Sequence, residues 1–294
     1  MPNPSRPRTR ATAALAASAG LIFALTACSP SSVTAGASPA GSTGSLMPDA
    51  HIHGLSVSSK TGQVLLATHE GLFDMTKQPA TKIGATNDLM GFTGGTDHGV
   101  LYASGHPGEG SDLPNPLGLI RSTDAGKTWE QLSRQGESDF HALTATKSGI
   151  VGFDGRLRTS PDGKTWNTVP TDFVPAVLAG SPTSDTILAT TPQGIRRSTD
   201  GGKAWNTVDT GPVLQFAAFA SPADAVGVEP DGTVHSSADA GATWTRKGKI
   251  QGAVQAVAAV KGQEANLSIW AATAGGLVIS TDGGVTFRPA ADGS

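Results

Sequence analysis

The sequence predicts an all-β protein, a six-bladed β-propeller, and three observations support that prediction. A serine and an aspartate two residues apart, followed by glycine and an aromatic, recur five times at steps of 38, 38, 39 and 43 residues. A fixed period in that range marks a repeat architecture whose unit is one supersecondary element. Glycine at 38 positions and proline at 19, with no long helical periodicity, require many short strands and tight turns. An apolar strand-like run lies upstream of each phrase, so each unit holds about four strands, and four antiparallel strands repeated radially make a propeller.

Taken in chain order, residues 1–27 stand outside that fold. Arg6, Arg8 and Arg10 make a basic start, residues 11–24 are apolar and small, and Leu25-Thr26-Ala27-Cys28 follows. The run is too short and alanine-rich to span a bilayer and reads as a secretory signal. Leu-Thr-Ala-Cys resembles the bacterial lipobox, which implies cleavage before Cys28, lipid on its sulfur and an outer-face membrane anchor. Cys28 is the only cysteine, so no internal disulfide can form. Residues 28–47 are rich in Ser, Ala, Gly and Pro and form a flexible tether. Residues 48–294 are then the propeller. A formal net charge of −3 without a basic stripe argues against nucleic acid as a partner.

The repeated phrases are Ser122-Thr-Asp124-Ala-Gly126-Lys-Thr-Trp129, Ser160-Pro-Asp162-Gly163-Lys-Thr-Trp166, Ser198-Thr-Asp200-Gly-Gly202-Lys-Ala-Trp205, Ser237-Ala-Asp239-Ala-Gly241-Ala-Thr-Trp244 and Ser280-Thr-Asp282-Gly-Gly284-Val-Thr-Phe287. A first unit, residues 51–75, follows the same plan without the phrase, which makes six units beginning near 51, 88, 139, 174, 213 and 253. The phrases resemble the Asp-box (BNR) repeats of sialidases, sortilin-type receptors, xyloglucanases and a photosystem assembly factor. Their aspartates (Asp124, Asp162, Asp200, Asp239, Asp282) are expected to be structural. Asp accepts backbone N–H bonds in a turn, Gly supplies positive φ, and the aromatic packs against the sheet. The Ser160 copy is one residue short, which a turn can absorb.

The histidines ignore the repeat. Six of seven, His51, His53, His69, His98, His106 and His141, lie between residues 51 and 141; His235 is expected at the surface of an outer strand. The first strands align without gaps as HIHGL, DLMGF, DFHAL, VPAVL, VLQFA and AVQAV. Their first column reads His51, Asp88, Asp139, Val174, Val213, Ala253, and their third His53, Met90, His141, Ala176, Gln215, Gln255. Residues two apart on a strand share a face, so units one to three present ligand and acid types where units four to six are apolar or amide. Antiparallel order sets His69, Glu70, His106 and Asp154, at the ends of second strands, on the same propeller face. His98 is expected on the opposite face.

The expected cluster at the channel mouth is therefore His51, His53, His69, Met90, His106 and His141, with Asp88 and Asp139 beside it and residues 107–116 as a lid. Imidazole with carboxylate suits Zn, Cu, Fe or Ni, and the thioether of Met90 favours copper, with zinc the alternative. Two other readings stand. Asp88 and Asp139, in one column, are candidate catalytic acid and base of a glycoside hydrolase, in which case a glycan occupies the mouth. Or the face is a non-catalytic protein-interaction or assembly module.

Residues 51–145 also look like a secreted or lipid-anchored bacterial Asp-box family commonly labelled glycosyl hydrolase or exo-α-sialidase. Sialidase chemistry itself is not expected. That chemistry uses a tyrosine nucleophile and three clamping arginines. Tyr102, the only tyrosine, sits inside a second strand, and Arg121, Arg158, Arg196 and Arg197 precede the repeat serines in outer strands.

Overall fold

A computed structural model describes residues 47–48, 50–95, 99–262 and 266–290. The signal, Cys28 and most of the tether, as well as His98, lie outside the described residues. No helix occurs among those described, and the strands form six four-stranded antiparallel sheets in consecutive order. Blade one is β1–β4 (Ile52–Val57, Val64–Thr68, Gly71–Asp74, Thr81–Ile83), and blade two is β5–β8 (Asp88–Gly94, Leu101–His106, Leu119–Ser122, Glu130–Ser133). Blade three is β9–β12 (Ala142–Thr146, Gly149–Phe153, Leu157–Ser160, Asn167–Val169), and blade four is β13–β16 (Val177–Gly180, Ile187–Thr191, Gly194–Ser198, Asn206–Thr207). Blade five is β17–β20 (Phe216–Phe219, Ala225–Val228, Thr233–Ser237, Thr245–Lys249), and blade six is β21–β24 (Val254–Lys261, Leu267–Thr273, Gly276–Ser280, Arg288–Pro289).

The first strands pack side by side in the order β1, β5, β9, β13, β17, β21 and back to β1, around a central cavity of about 880 Å³. Burial falls outward for a physical reason: both faces of a blade meet neighbouring blades. Second strands such as VLLAT and ILATT are buried at every residue, whereas the fourth strands are mostly exposed. This is why second strands read as continuous apolar runs rather than alternating ones.

The hydrophobic core is divided into six seams, each between adjacent blades, and the repeat aromatics fill them. Trp129, Trp166, Trp205, Trp244 and Phe287 each pack into the seam between their own blade and the one before. Blade one has no repeat phrase, so its seam with blade six is filled differently, by Trp270 of β22 and by Met47 against Ile52, Leu66 and Ala272. The ring therefore closes by side-chain packing between blades one and six.

Within the turns, Asp124 Oδ1 accepts from Thr128 N at 2.9 Å and from the Ser122 hydroxyl, and Gly126 N donates to Ser122 Oγ at 2.8 Å. The same pattern recurs around Asp200, Asp239 and Asp282. In the short copy, Asp162 Oδ1 takes both Lys164 N and Thr165 N, so the turn absorbs the missing residue. The Thr128 N–H and hydroxyl and the Ser122 hydroxyl hold Asp124 down at about 2, and the Thr165 and Lys164 N–H groups hold Asp162 there too.

His235 departs from expectation. It lies on the third strand of blade five, only 9% exposed, with Nε2 2.5 Å from Glu229 Oε1. Its ring is turned into the blade against Glu229 rather than out to solvent.

Candidate functional site

The start of each first strand carries a bulge, where two residues on one strand oppose one on its partner. In blade one the register jumps across His53, in blade two across Leu89 and Met90, and in blade six across Gln255. In blades three to five, His141, Ala176 and Gln215 donate their N–H to Phe153, Thr190 and Val228, the same residues that pair with the next residue along. Bulges re-aim side chains. The third column of the alignment is thus set by a repeated backbone irregularity rather than by simple alternation.

His51, His53 and His69 come together. His69 N donates to His51 O at 3.2 Å, which sets the two side by side. The ring centroids are 5.1 Å (His51–His53), 5.4 Å (His51–His69) and 4.4 Å (His53–His69) apart. One nitrogen from each lies within 4.8 Å of the others. A zinc-like ion takes imidazole nitrogens at roughly 2.0–2.1 Å.

Asp88, from the start of blade two, reaches back to this group. Its Oδ2 is 2.7 Å from His69 Nδ1 and its Oδ1 is 3.4 Å from His53 Nε2. A neutral His69 that donates Nδ1–H to Asp88 presents the lone pair of Nε2, the arrangement by which carboxylates orient metal-binding imidazoles. His53 is the inward member, its side chain 9% exposed and lining the central cavity. Burial lowers its pKa to about 4 against the opposing pull of Asp88, with His69, His51 and His141 pushing the same way as burial. Neutral imidazole is the form that binds metal.

Asp139 and the remaining histidines form a second group one blade on. Asp139 Oδ2 is 2.7 Å from His141 Nε2 and 3.3 Å from His106 Nε2, and His106 Nδ1 is 2.7 Å from Asn115 Oδ1. His106 therefore has both ring nitrogens engaged, while His141 stands largely exposed. The two groups share a plan, since an aspartate at the start of one blade takes the histidine that ends the second strand of the blade before. Met90 sits half-buried in the bulge of β5.

The residue corresponding to His69 and His106 in blade three is Asp154, and it is spoken for. Arg158 Nε lies 2.8 Å from Asp154 Oδ2, and Ser138 and Arg134 also face that carboxylate. Glu70 is exposed and its N–H bonds Thr68 Oγ1. Residues 107–116 are held down at the mouth, with Gly108 N donating to Asn87 Oδ1 and Asn115 meeting His106. Asn115 went unnoticed in the sequence because its only local signal, an Asn-Pro pair, marks a turn.

Glycine permits the close packing underneath. A Cβ on Gly105, at φ +142°, would lie 2.0 Å from Asp88 O, and one on Gly91 would lie 2.1 Å from Phe140 O. Phe140, fully buried and stacked on Trp166, anchors the segment between Asp139 and His141, and its N–H bonds Ser104 Oγ at 2.9 Å. Across the mouth the character changes: Val174 is 65% and Val213 47% exposed.

Four buried side-chain polar atoms among the described residues have no hydrogen-bond partner, and three of them are here: His53 Nε2, Asp88 Oδ1 and Asp139 Oδ1. Buried polar atoms are ordinarily paired, so such a concentration asks for a ligand.

The fold and mouth define a six-bladed β-propeller with a triad of histidines, His51, His53 and His69, that could hold a metal ion. Among solved structures the chain is similar to a GH74 enzyme of Niastella koreensis, with a TM-score of 0.57 and 14% identity over 83% of this chain and 38% of that one. The chain thus spans well under half of that enzyme's length. It is also similar to the β-propeller domain of Myceliophteria thermophila Cps50 (Swd1), with a TM-score of 0.54, 11% identity and coverage of 84% and 88%. Virginiamycin B lyase of Staphylococcus aureus follows, with a TM-score of 0.52, 16% identity and coverage of 82% and 85%. At these identities the likeness concerns the fold alone. No protein-family model and no curated protein matches the chain.

Proposed function

We propose that this chain is an exported propeller, lipid-anchored through Cys28 at the outer face of the membrane, that binds a transition-metal ion at its channel mouth. The ligands are His51, His53 and His69, and the ion is copper or zinc. The observation that carries this is the convergence of three imidazole nitrogens within 4.8 Å, one of them buried and without a hydrogen-bond partner. Three imidazoles suit either metal.

The test is metal content after loading purified protein with Cu(II) or Zn(II) and desalting. About one equivalent retained by the wild type and lost in a His51→Ala/His53→Ala double variant supports the site; no retention by the wild type refutes it. Cys28→Ser should move the protein from the membrane to the soluble fraction, and unchanged fractionation would count against the anchor.

The glycosidase reading draws less support, because Asp88 and Asp139 each engage histidines rather than standing free as an acid and a base. The exposed Val174 and Val213 favour a protein partner docked on the apolar half of the same mouth as the second reading.

A further inference from the structure

Three donors leave a metal site incomplete. One nitrogen each from His51, His53 and His69 lies within 4.8 Å of the others. Asp88 is engaged in orienting His69, with Oδ2 2.7 Å from its Nδ1. Zinc sites that only hold structure together are closed by a fourth protein donor, whereas catalytic ones have three protein donors and a position open to water or substrate.

A candidate base stands beside that position. His141, at the start of blade three, is near enough to His53 for charge on either imidazole to disfavour charge on the other. Its Nε2 is 2.7 Å from Asp139 Oδ2, and 62% of its side chain is exposed. A neutral His141 that donates Nε2–H to Asp139 presents the lone pair of Nδ1 to the mouth. Asp139 is fixed through its buried chain neighbour Phe140, whose N–H bonds Ser104 Oγ at 2.9 Å. An imidazole oriented by a carboxylate is the arrangement that activates nucleophiles for acyl transfer. The three-histidine site itself uses neither Asp139 nor His141.

We infer that the mouth hydrolyses uncharged carboxylic esters, with His141 as general base and Asp139 as its positioning residue; the inference rests on the metal-site reading above. Water in the open position, its pKa brought to about 7 by the ion, gives a proton to His141 Nδ1. The hydroxide left behind attacks the ester carbonyl carbon. As the C–O bond to the alcohol portion breaks, His141 passes that proton to the departing oxygen. One ester and one water become one acid and one alcohol, with nothing oxidised or reduced. Between the two transfers Asp139 stabilises the imidazolium. The walls select the substrate class. The carboxylates of Asp88 and Asp139 disfavour anionic substrates such as phosphate esters. Across the mouth Val174, 65% exposed, and Val213, 47% exposed, offer an apolar surface to an alkyl or aryl group.

The test is hydrolysis of p-nitrophenyl acetate by the zinc-loaded protein. Turnover should require zinc, and His141→Ala should lower kcat about 10²–10⁴-fold with zinc content unchanged. Added imidazole should restore part of that variant's rate, which a merely structural role for His141 would not allow. Asp139→Asn should lower kcat and leave KM unchanged. Independently of any ester, azide should alter the visible spectrum of the cobalt(II)-loaded wild type by entering the open position. A wild type that retains zinc yet hydrolyses no faster than the metal-free protein would overturn the inference and leave the three-histidine site standing. So would a His141→Ala or Asp139→Asn variant as fast as the wild type, or a cobalt spectrum indifferent to azide. No binding of zinc, cobalt or copper by the wild type would overturn the metal-site reading and this inference with it.

Discussion

Zinc should raise the melting temperature of this protein, and His53→Ala should abolish the rise while leaving the metal-free protein nearly as stable as before. An ion that binds only the folded state stabilises it by RT ln(1 + [L]/Kd), about 2.7 kcal/mol at one hundred times Kd. For a domain of this size, each kcal/mol moves the midpoint by roughly 2–4 °C, so the expected rise is about 5–10 °C. In the metal-free state the substitution has two opposing effects. It removes a buried nitrogen that lacks a partner, which relieves about 1–3 kcal/mol. It also truncates a side chain that is only 9% exposed, which costs an amount of the same order. The two offset, so the metal-free variant should melt within a few degrees of the wild type. Differential scanning calorimetry with and without zinc, after chelation, reads both quantities. A variant that keeps the zinc-induced rise would show that His53 is not a ligand. A metal-free variant far less stable than the wild type would show that His53 is an ordinary packed residue.

Acid should weaken the fold through the repeat turns. Asp124, Asp162 and Asp239 are held at about 2, against 3.8 for the free carboxyl, by the N–H and hydroxyl groups of Thr128, Thr165 and Thr243. A depressed folded pKa gives stability that is complete above about 3.8 and is lost as pH falls towards 2. Urea midpoints should drop across that window, and Asp239→Asn should flatten part of the slope; a flat wild-type profile would contradict the turn assignment. His53 should titrate near 4 rather than 6.5, so the unfolded chain binds more protons between those values and stability rises with pH there. Imidazole chemical shifts in metal-free protein measure it, and a midpoint near 6.5 would disprove burial as the dominant influence. Phe140→Ala removes a fully buried ring stacked on Trp166 and should cost about 3–5 kcal/mol. It should also weaken metal binding little, since Asp139 and His141 belong to the second group; a large loss of affinity would tie the two groups together.

The repeat turns were legible in the sequence because their bonds are local. Ser122, Asp124, Gly126 and Thr128 satisfy one another within a few residues, so one phrase carries the whole arrangement. The blades followed from its period. The alignment of first strands also placed His51, His53, Asp88, Asp139 and His141 at one mouth, since antiparallel strand order fixes which ends share a face. Tertiary structure decided which of them meet. Asp88 joins His53 and His69 across a blade boundary, and Asp139 joins His106 and His141 in the same way, because adjacent blades pack face to face. The bulges that aim His53 inward leave no pattern in a column of residue types. The burial of His235 on Glu229 could not be read from spacing either. Position along a strand is a local property of the chain, whereas the partner a side chain finds depends on how two separately folded blades fit together.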